Sequence, residues 1–369
     1  MKTKPYNRKL IRRIRAINLK QLIILPFVAV LITFALTNCE TLADPDEPGN
    51  LVPKTVFEDP LLPRIEVNGT LLHAESFGDI HDPIIIFLHG GPGSDYSAFI
   101  SQIGGENASR YPSERNIANG GLSQLQDEYY CVFYDQRGAG LSPRFEPGEV
   151  DFNMYVADLD AVIDYYLQKK ANETGIVDDQ VYLLGWSYGG ILSTGYINKY
   201  PERVKDVVMY ETGPFTREAW DYFIENTTSV FGQLGEEWLQ GYLLSHEHIT
   251  SDTHERADYK MILGAFQANP EFHEDPNTPM WRVGAFIGNE NLDFSQSDNY
   301  DITSNLINFQ GRLLLIGGEF TANEYPGYLD LQLPLYPNAE YLEIPGVGHT
   351  GPWEKPDEIA SLVRNFFTN

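Results

Sequence analysis

Gly185-Trp186-Ser187-Tyr188-Gly189-Gly190 separates the apolar run Gln180-Val181-Tyr182-Leu183-Leu184 from Ile191-Leu192-Ser193-Thr194-Gly195-Tyr196-Ile197. The run before it has strand length and the run after it reads as a helix. A serine flanked by glycines at two-residue spacing, at a strand-to-helix junction, is the pattern of a nucleophile elbow. The serine backbone is strained in such a bend, and side chains at 185 or 189 would collide with neighbouring chain. The bend lifts the Ser187 hydroxyl clear of the sheet and aims helix amides toward it. The competing reading, a Gly/Ser-rich turn that merely closes a strand, leaves the remaining signals unexplained.

Length and charge bound the rest. At 369 residues the chain can bury one large core, or a core with an inserted subdomain. Apolar residues make up 42% and aromatic residues 13%, which describes a globular chain and not a disordered one. The formal net charge is −26. Positions 1–38 hold eight Lys/Arg and no acid, leaving 18 basic against all 52 acidic residues elsewhere, a formal −34. Such a surface repels nucleic acid and anionic headgroups, so nucleic acid is not an expected partner. It suits solubility, and it would draw in cationic groups such as free peptide amines.

The N-terminus reads as a targeting segment over 1–38. Lys2 to Lys20 is basic, and Leu22 to Thr37 is almost wholly apolar. The apolar part is short for a spanning helix, which needs about 20 residues. A basic stretch, an apolar stretch and a cleavage region describe an export signal. It ends Leu36-Thr37-Asn38-Cys39, which resembles a bacterial lipoprotein box, although Asn38 replaces the usual small residue. The alternatives are an uncleaved anchor and ordinary signal cleavage. All three place the folded part outside the cytoplasm. Residues 39–60 are acidic and Pro-rich and read as a linker holding the domain off a membrane. Only Cys39 and Cys131 are present, so no disulfide framework is available. Cys131 lies in Tyr129-Tyr130-Cys131-Val132-Phe133-Tyr134 and is expected to be a buried strand residue.

From Arg64 the chain alternates strands and helices. Arg64–Val67 and Leu71–Glu75 suggest a hairpin turned at Asn68-Gly69. Pro83–Leu88 is a continuous apolar strand, as expected where helices cover both sheet faces. Residues 101–122 lack period and suggest a surface insertion. Val156, Leu159, Val162, Ile163 and Tyr166 fall at helical spacing, which predicts a helix over 151–170. Further strands are expected at 129–134, 180–184, 204–210, 312–316 and 340–344, and a closing helix is marked by Ile359, Leu362, Val363 and Phe366. The alternation implies a mostly parallel sheet with right-handed crossovers. Between 214 and 305 the rhythm breaks, which suggests a helical cap inserted over the carboxyl ends of the strands. The expected core is therefore 61–213 and 306–369.

Four motifs in this order resemble the α/β-hydrolase fold, and within it the proline iminopeptidase group. They are His89-Gly90-Gly91-Pro92-Gly93, Asp135-Gln136-Arg137-Gly138-Ala139-Gly140-Leu141-Ser142, the elbow, and Gly346-Val347-Gly348-His349 after the last strand. The resemblance spans roughly 60–369 and implies an exported serine hydrolase that cleaves an N-terminal residue from peptides through an acyl-enzyme. Ser187 would be the nucleophile and His349 its base, since a serine hydroxyl needs its proton removed to attack. The backbone N–H groups of Gly91 and Tyr188 would form the oxyanion hole. Asp135 and Arg137 would brace the adjoining loops. No cofactor and no metal is implied.

The third member of the triad departs from the pattern. The family places an Asp in a Gly-x-x-Asp turn after the penultimate strand; here the stretch is Gly317-Gly318-Glu319-Phe320-Thr321-Ala322-Asn323-Glu324, with Thr321 at the expected position. Threonine cannot stabilise an imidazolium as an anion does. Glu211 at the end of the preceding strand, Glu324 from a longer loop, and Glu319 are the candidates. Glu211 is favoured because a carboxylate at a strand's carboxyl end needs no loop rearrangement; its other reading is a cap-contacting or amine-binding carboxylate. His246-Glu247-His248, His254-Glu255 and His273-Glu274 could suggest zinc, but lack the H-E-x-x-H spacing and read better as a solvated acidic cap. Glu218, Asp221, Glu236 and Glu237 are cap carboxylates suited to a peptide amine. The expected partner is a small peptide or ester, with a membrane tether through the N-terminal segment or a lipidated Cys39. An esterase on the same triad, and a non-catalytic binding lipoprotein with a degraded triad, are the alternatives. The lipoprotein reading predicts a mature chain beginning at Cys39 with added acyl mass; intact-mass measurement of the membrane-extracted protein checks it.

Overall fold

The apolar runs of the sequence become the inner strands of one eight-stranded sheet. The computed structural model describes residues 46–100, 121–146, 148–223, 225, 254–259, 281–286, 297–324 and 328–368. The strands are β1 (Arg64–Val67), β2 (Thr70–Phe77), β3 (Ile84–Leu88), β4 (Tyr130–Tyr134), β5 (Val181–Trp186), β6 (Val204–Tyr210), β7 (Leu313–Gly318) and β8 (Ala339–Ile344). Their order is β1-β2-β4-β3-β5-β6-β7-β8. β1 and β2 pair antiparallel, as do β2 and β4; every pair from β4 to β8 is parallel. The β1–β2 turn falls at Asn68-Gly69, with φ of 45° and 71°, the left-handed pair that a two-residue hairpin turn needs.

Alternate strand residues feed two cores. Ile84, Ile86, Leu88, Leu183, Val207, Met209 and Leu315 join one. Ile85, Phe87, Leu184, Val208, Tyr210, Leu314 and Ile316 join the other. Both faces are therefore dry, which is why these strands read as unbroken apolar runs. Each fully buried side chain of this size contributes about 1.5–3 kcal/mol. Helices α1 (Phe152–Thr174) and α2 (Tyr188–Lys199) cover the first face, and α5 (Pro356–Thr368) covers the second. Between them in sequence lie the short helices α3 (Glu319–Glu324) and α4 (Gly351–Glu354). Asp151 caps α1 through its carboxylate, 2.8 Å from Met154 N. α1 runs past the expected 170 because it closes only at Gly175, whose φ of 76° lets its N–H reach Ala171 O.

Two boundaries differ from the sequence expectation. Within the acidic linker, Val52 and Val56 are buried, and Val56 N–H donates to Leu141 O at 2.9 Å. Two valines four apart were too sparse a signal against the Pro/Asp/Glu background. Gly121–Asp127 is a 3-10 helix whose Leu122 and Leu125 are buried, so packing resumes inside the stretch read as an insertion; 101–120 lie outside the described residues. β6 ends at Tyr210 as expected, and Glu211 follows it with φ 46°. Of the expected cap, the described parts include helical residues at 217–223 and 254–259 and the segment 281–286. Cys131 is buried in β4 as expected, and loss of water pushes its thiol well above the usual range.

The loop after β4 is held to α1 by a buried ion pair. Arg137 Nε and Nη2 bond the two oxygens of Asp158 at 2.7 and 2.8 Å, and Asp158 also accepts from Asn68 Nδ2 at 3.0 Å. Arg137→Met strands that carboxylate without its cation, and should lower stability by about 3–5 kcal/mol in urea unfolding.

Candidate active site

Ser187 sits at the junction of β5 and α2 with φ 55° and ψ −119°. That conformation costs on the order of 1–3 kcal/mol for a residue with a side chain, and it persists only where the surroundings over-determine it. Here they do. Ser187 N–H donates to Tyr210 O at 3.0 Å, and Ser187 O accepts from Gly190 N at 2.9 Å and Gly213 N at 3.2 Å. α2 must pass tightly beneath β3: a Cβ on Gly189 would lie 1.9 Å from Leu88 O. Only glycine permits that approach.

The glycine loop after β3 abuts the same point. A Cβ on Gly90 would stand 2.9 Å from Ser187 Cβ. The next residue, Gly91, has φ 120° and a cis bond to Pro92. The backbone amides of Gly91 and Tyr188 thus flank Ser187 from the glycine loop and from the start of α2. His89 is fully buried and braces this loop. Its Nε2 accepts from Gln136 N at 3.0 Å, which places the proton on Nδ1, facing Gly90 O at 2.9 Å. Burial pushes its basicity down, so it stays neutral.

His349 follows β8 on the loop before α4. Its ring centroid lies 5.2 Å from that of Trp186, the residue preceding Ser187. Its carbonyl accepts from Trp186 Nε1 at 2.9 Å, and the carbonyl of Gly348 accepts from Tyr210 Oη at 2.6 Å. The residue is half-buried, and loss of water lowers its pKa to about 4. It is neutral at pH 7 and able to take a proton. Among the described side chains, none hydrogen-bonds the ring. Such bonds often tighten only when substrate is present.

The acid candidates surround the His349 loop. Glu211 Oε1 accepts from Gly318 N at 2.5 Å. Gly318 in turn presses on the loop: a Cβ there would be 2.4 Å from Val347 O and 2.8 Å from Gly348 Cα. Glu319 Oε2 accepts from Gly346 N at 2.7 Å. Thr321 lies inside α3, which begins directly after β7 where the sequence suggested a turn, and Glu324 ends that helix; the Glu324 side chain lies outside the described set. Of the cap carboxylates, Asp221 pairs with Arg217 at 2.7 Å, while Glu236 and Glu237 lie outside the described residues. His246, His248 and His273 also lie outside them, and His254 Nε2 faces Glu146 Oε1 at 3.3 Å. Among the described residues no group of His, Cys, Asp and Glu is arranged to hold a metal.

One buried cluster had no signature in the sequence. Asp95, four residues past Gly91, accepts from Ser97 N at 2.9 Å through Oδ1. Its Oδ2 accepts from Trp281 N at 2.5 Å and Arg282 N at 3.1 Å, and Gly93 O accepts from Gly284 N at 2.7 Å. The returning cap segment is thereby fastened to the glycine loop, across 186 residues of chain. Arg282 continues the connection: its Nε and that of Arg144 both bond Asp258 Oδ2, at 2.7 and 2.8 Å. Beside Asp95, Asp135 pairs with the buried His73 at 2.8 Å and accepts from Tyr96 N at 3.0 Å and Leu141 N at 2.7 Å.

The sheet order, the elbow and the loop geometry define an α/β-hydrolase. The family model described as alpha/beta hydrolase fold matches residues 83–356, and the chain belongs to that family. It is similar to a proline iminopeptidase from Xylella fastidiosa (strain 9a5c), 25% identical over 325 residues that cover 79% of this chain and 90% of that protein. It is also similar to proline iminopeptidase PfmaB from Pestalotiopsis fici, 30% identical over 155 residues, 41% of this chain and 43% of that protein. The chain thus matches less than half the length of the latter. A thermophilic esterase from Thermogutta terrifontis shares the fold, with a TM-score of 0.53 at 19% identity over 83% of this chain and 98% of that one.

Burial, and then the neighbouring Asp135, push the Asp95 carboxyl up to about 6. That value lies above the roughly 3.9 of an unfolded Asp. Its contribution to stability is full below about pH 4 and is lost as the pH rises through about 6. Asp95→Asn should be less stable overall, since an amide nitrogen cannot accept, and its melting temperature should fall less steeply across that pH window than in the wild type. Parallel pH slopes would show that Asp95 does not titrate there.

Proposed function

We propose that the chain is an exported serine hydrolase of the proline iminopeptidase type. The observation that carries this reading is the strained Ser187 elbow beside Gly91, Tyr188 and the neutral His349. Ser187 Oγ attacks the scissile carbonyl carbon as His349 takes its proton. The developing oxyanion is held by the N–H groups of Gly91 and Tyr188; losing one such donor costs about 10²–10³ in rate. The intermediate collapses as the C–N bond breaks, and the leaving amine takes the proton from His349. Water then attacks the acyl-enzyme with His349 as base, releasing the acid and restoring Ser187.

Glu211 is the acid we assign to the triad. It leaves β6 in a left-handed conformation, and unusual backbone at a strand's carboxyl end accompanies function more often than chance. Its carboxylate lies one residue, Gly318, from the His349 loop. The names of the similar proteins support an N-terminal aminoacyl substrate, and the acidic surface suits its free amine. The basic and apolar segments of the first 38 residues support export, with a tether at Cys39 or in the segment itself.

A fluorophosphonate probe should label the wild type and not Ser187→Ala. An unlabelled wild type would favour a binding protein. Turnover of proline β-naphthylamide above p-nitrophenyl esters supports the peptidase; the reverse order supports the esterase. Glu211→Gln should lower turnover by up to about 10⁴-fold, the loss seen when the anion behind such an imidazole is neutralised. Glu324→Gln should change it little, and equal small effects would reject the assignment.

A further inference from the structure

We propose that Trp186 and Tyr210 are positioning residues for the base: the indole N–H and the phenol O–H hold the carbonyls of His349 and Gly348, so the loop bearing the imidazole hangs from the two strands that lead into Ser187 and Glu211. The inference rests on the reading of Ser187 and His349 as nucleophile and base. A catalytic imidazole must keep one orientation, and a carboxylate usually enforces it. In this chain Thr321 occupies the expected place of that carboxylate. Of the described carboxylates nearby, Glu211 accepts from Gly318 N, Glu319 from Gly346 N and Glu354 from the Thr350 hydroxyl. The side-chain bonds that reach residues 348 and 349 come from Trp186 at 2.9 Å and Tyr210 at 2.6 Å; the main chain adds Gly351 N to Gly348 O at 3.3 Å and Phe320 N to Val347 O at 3.2 Å.

Both donors are themselves fixed. Trp186 is 6% exposed; it meets Trp353 edge-on at 5.1 Å and lies beside the His349 ring at 5.2 Å, 39° from parallel. Tyr210 is 1% exposed, and burial pushes its phenol far above the usual range, so it remains a donor at every working pH. Its hydroxyl also shapes the next turn, because a Cβ on Gly351 would lie 2.0 Å from it. The main chain ties the same parts together, through Ser187 N and Tyr210 O. A shift of either aromatic therefore moves the nucleophile's strand and the base together, and preserves their spacing.

The test is the rate of fluorophosphonate labelling of Ser187 as a function of pH, in wild type, Trp186→Phe and Tyr210→Phe. The charged groups on elements packed around the loop are Glu211 after β6, Glu319 after β7, and Glu354 and Lys355 beyond His349. None is altered in these variants. Phe at 186 keeps a ring against His349, and Phe at 210 removes one oxygen, so melting curves should show folded proteins. Each variant should label about tenfold more slowly or worse, since a displacement of about 1 Å can cost about 10²-fold. The acid limb of the profile should move to higher pH, because a loosened loop admits water to an imidazole whose pKa desolvation had lowered. Rates and limbs matching the wild type in both variants would overturn the proposal. So would slower labelling with an unmoved limb, which marks a general loss of packing. A wild type that is not labelled removes the nucleophile assignment itself, and the inference with it.

Discussion

The close passage of α2 under β3 sets the geometry of everything around it. With Gly189 against Leu88 O, the chain leaving β5 has no room to turn gradually. Ser187 is forced into a conformation with φ 55°, and three backbone hydrogen bonds, to β6, to Gly213 beyond it and to the elbow, keep it there. The sheet must be parallel at this point for those bonds to exist, because Tyr210 O is presented by the carboxyl end of the neighbouring strand. The strain is small beside the burial of the strands on both faces, and so the fold can sustain it.

Buried charge does a different job: it fastens the loops around the site to one another. Asp135 gathers Tyr96, Leu141 and His73 around one carboxylate, and Arg137 locks the same loop to α1 through Asp158. Asp95 then joins the glycine loop to Trp281 and Arg282. Asp135 lies close enough to Asp95 to disfavour the charge on Asp95, and the backbone N–H groups of Ser97 and Arg282 offset part of that effect. This arrangement places titratable groups directly behind the loop that carries Gly91.

With Thr321 where an acid is expected, the loop of the candidate base is held by other contacts. Where a carboxylate normally orients the imidazole from behind, the described contacts in this chain act on the backbone of residues 348 and 349. Orientation then depends on side chains from the strands that carry the other active groups. The consequence is a mechanically coupled site, in which β5 and β6 supply the candidate nucleophile and acid and also suspend the loop of the base.

Local pattern and covalent order made much of this legible. The doubly buried strands at 84–88 and 204–210, the Asn68-Gly69 turn, the Ser187 elbow and the position of His349 after the last strand all follow from short-range periodicity and glycine placement. These signals act within a few residues, so a single sequence displays them. The partners of Asp95, the role of Gly318 between Glu211 and the His349 loop, and the burial of Val52 and Val56 were not legible. Each depends on chain segments brought together from far apart in sequence, and nothing in a residue's neighbours encodes which distant amide will meet it. The amino-acid order alone therefore determined the sheet, its bend and the identity of the candidate nucleophile and base. Only the tertiary structure decided what holds them in place, because hydrogen bonds between distant segments exist only once the sheet has set their distance and direction.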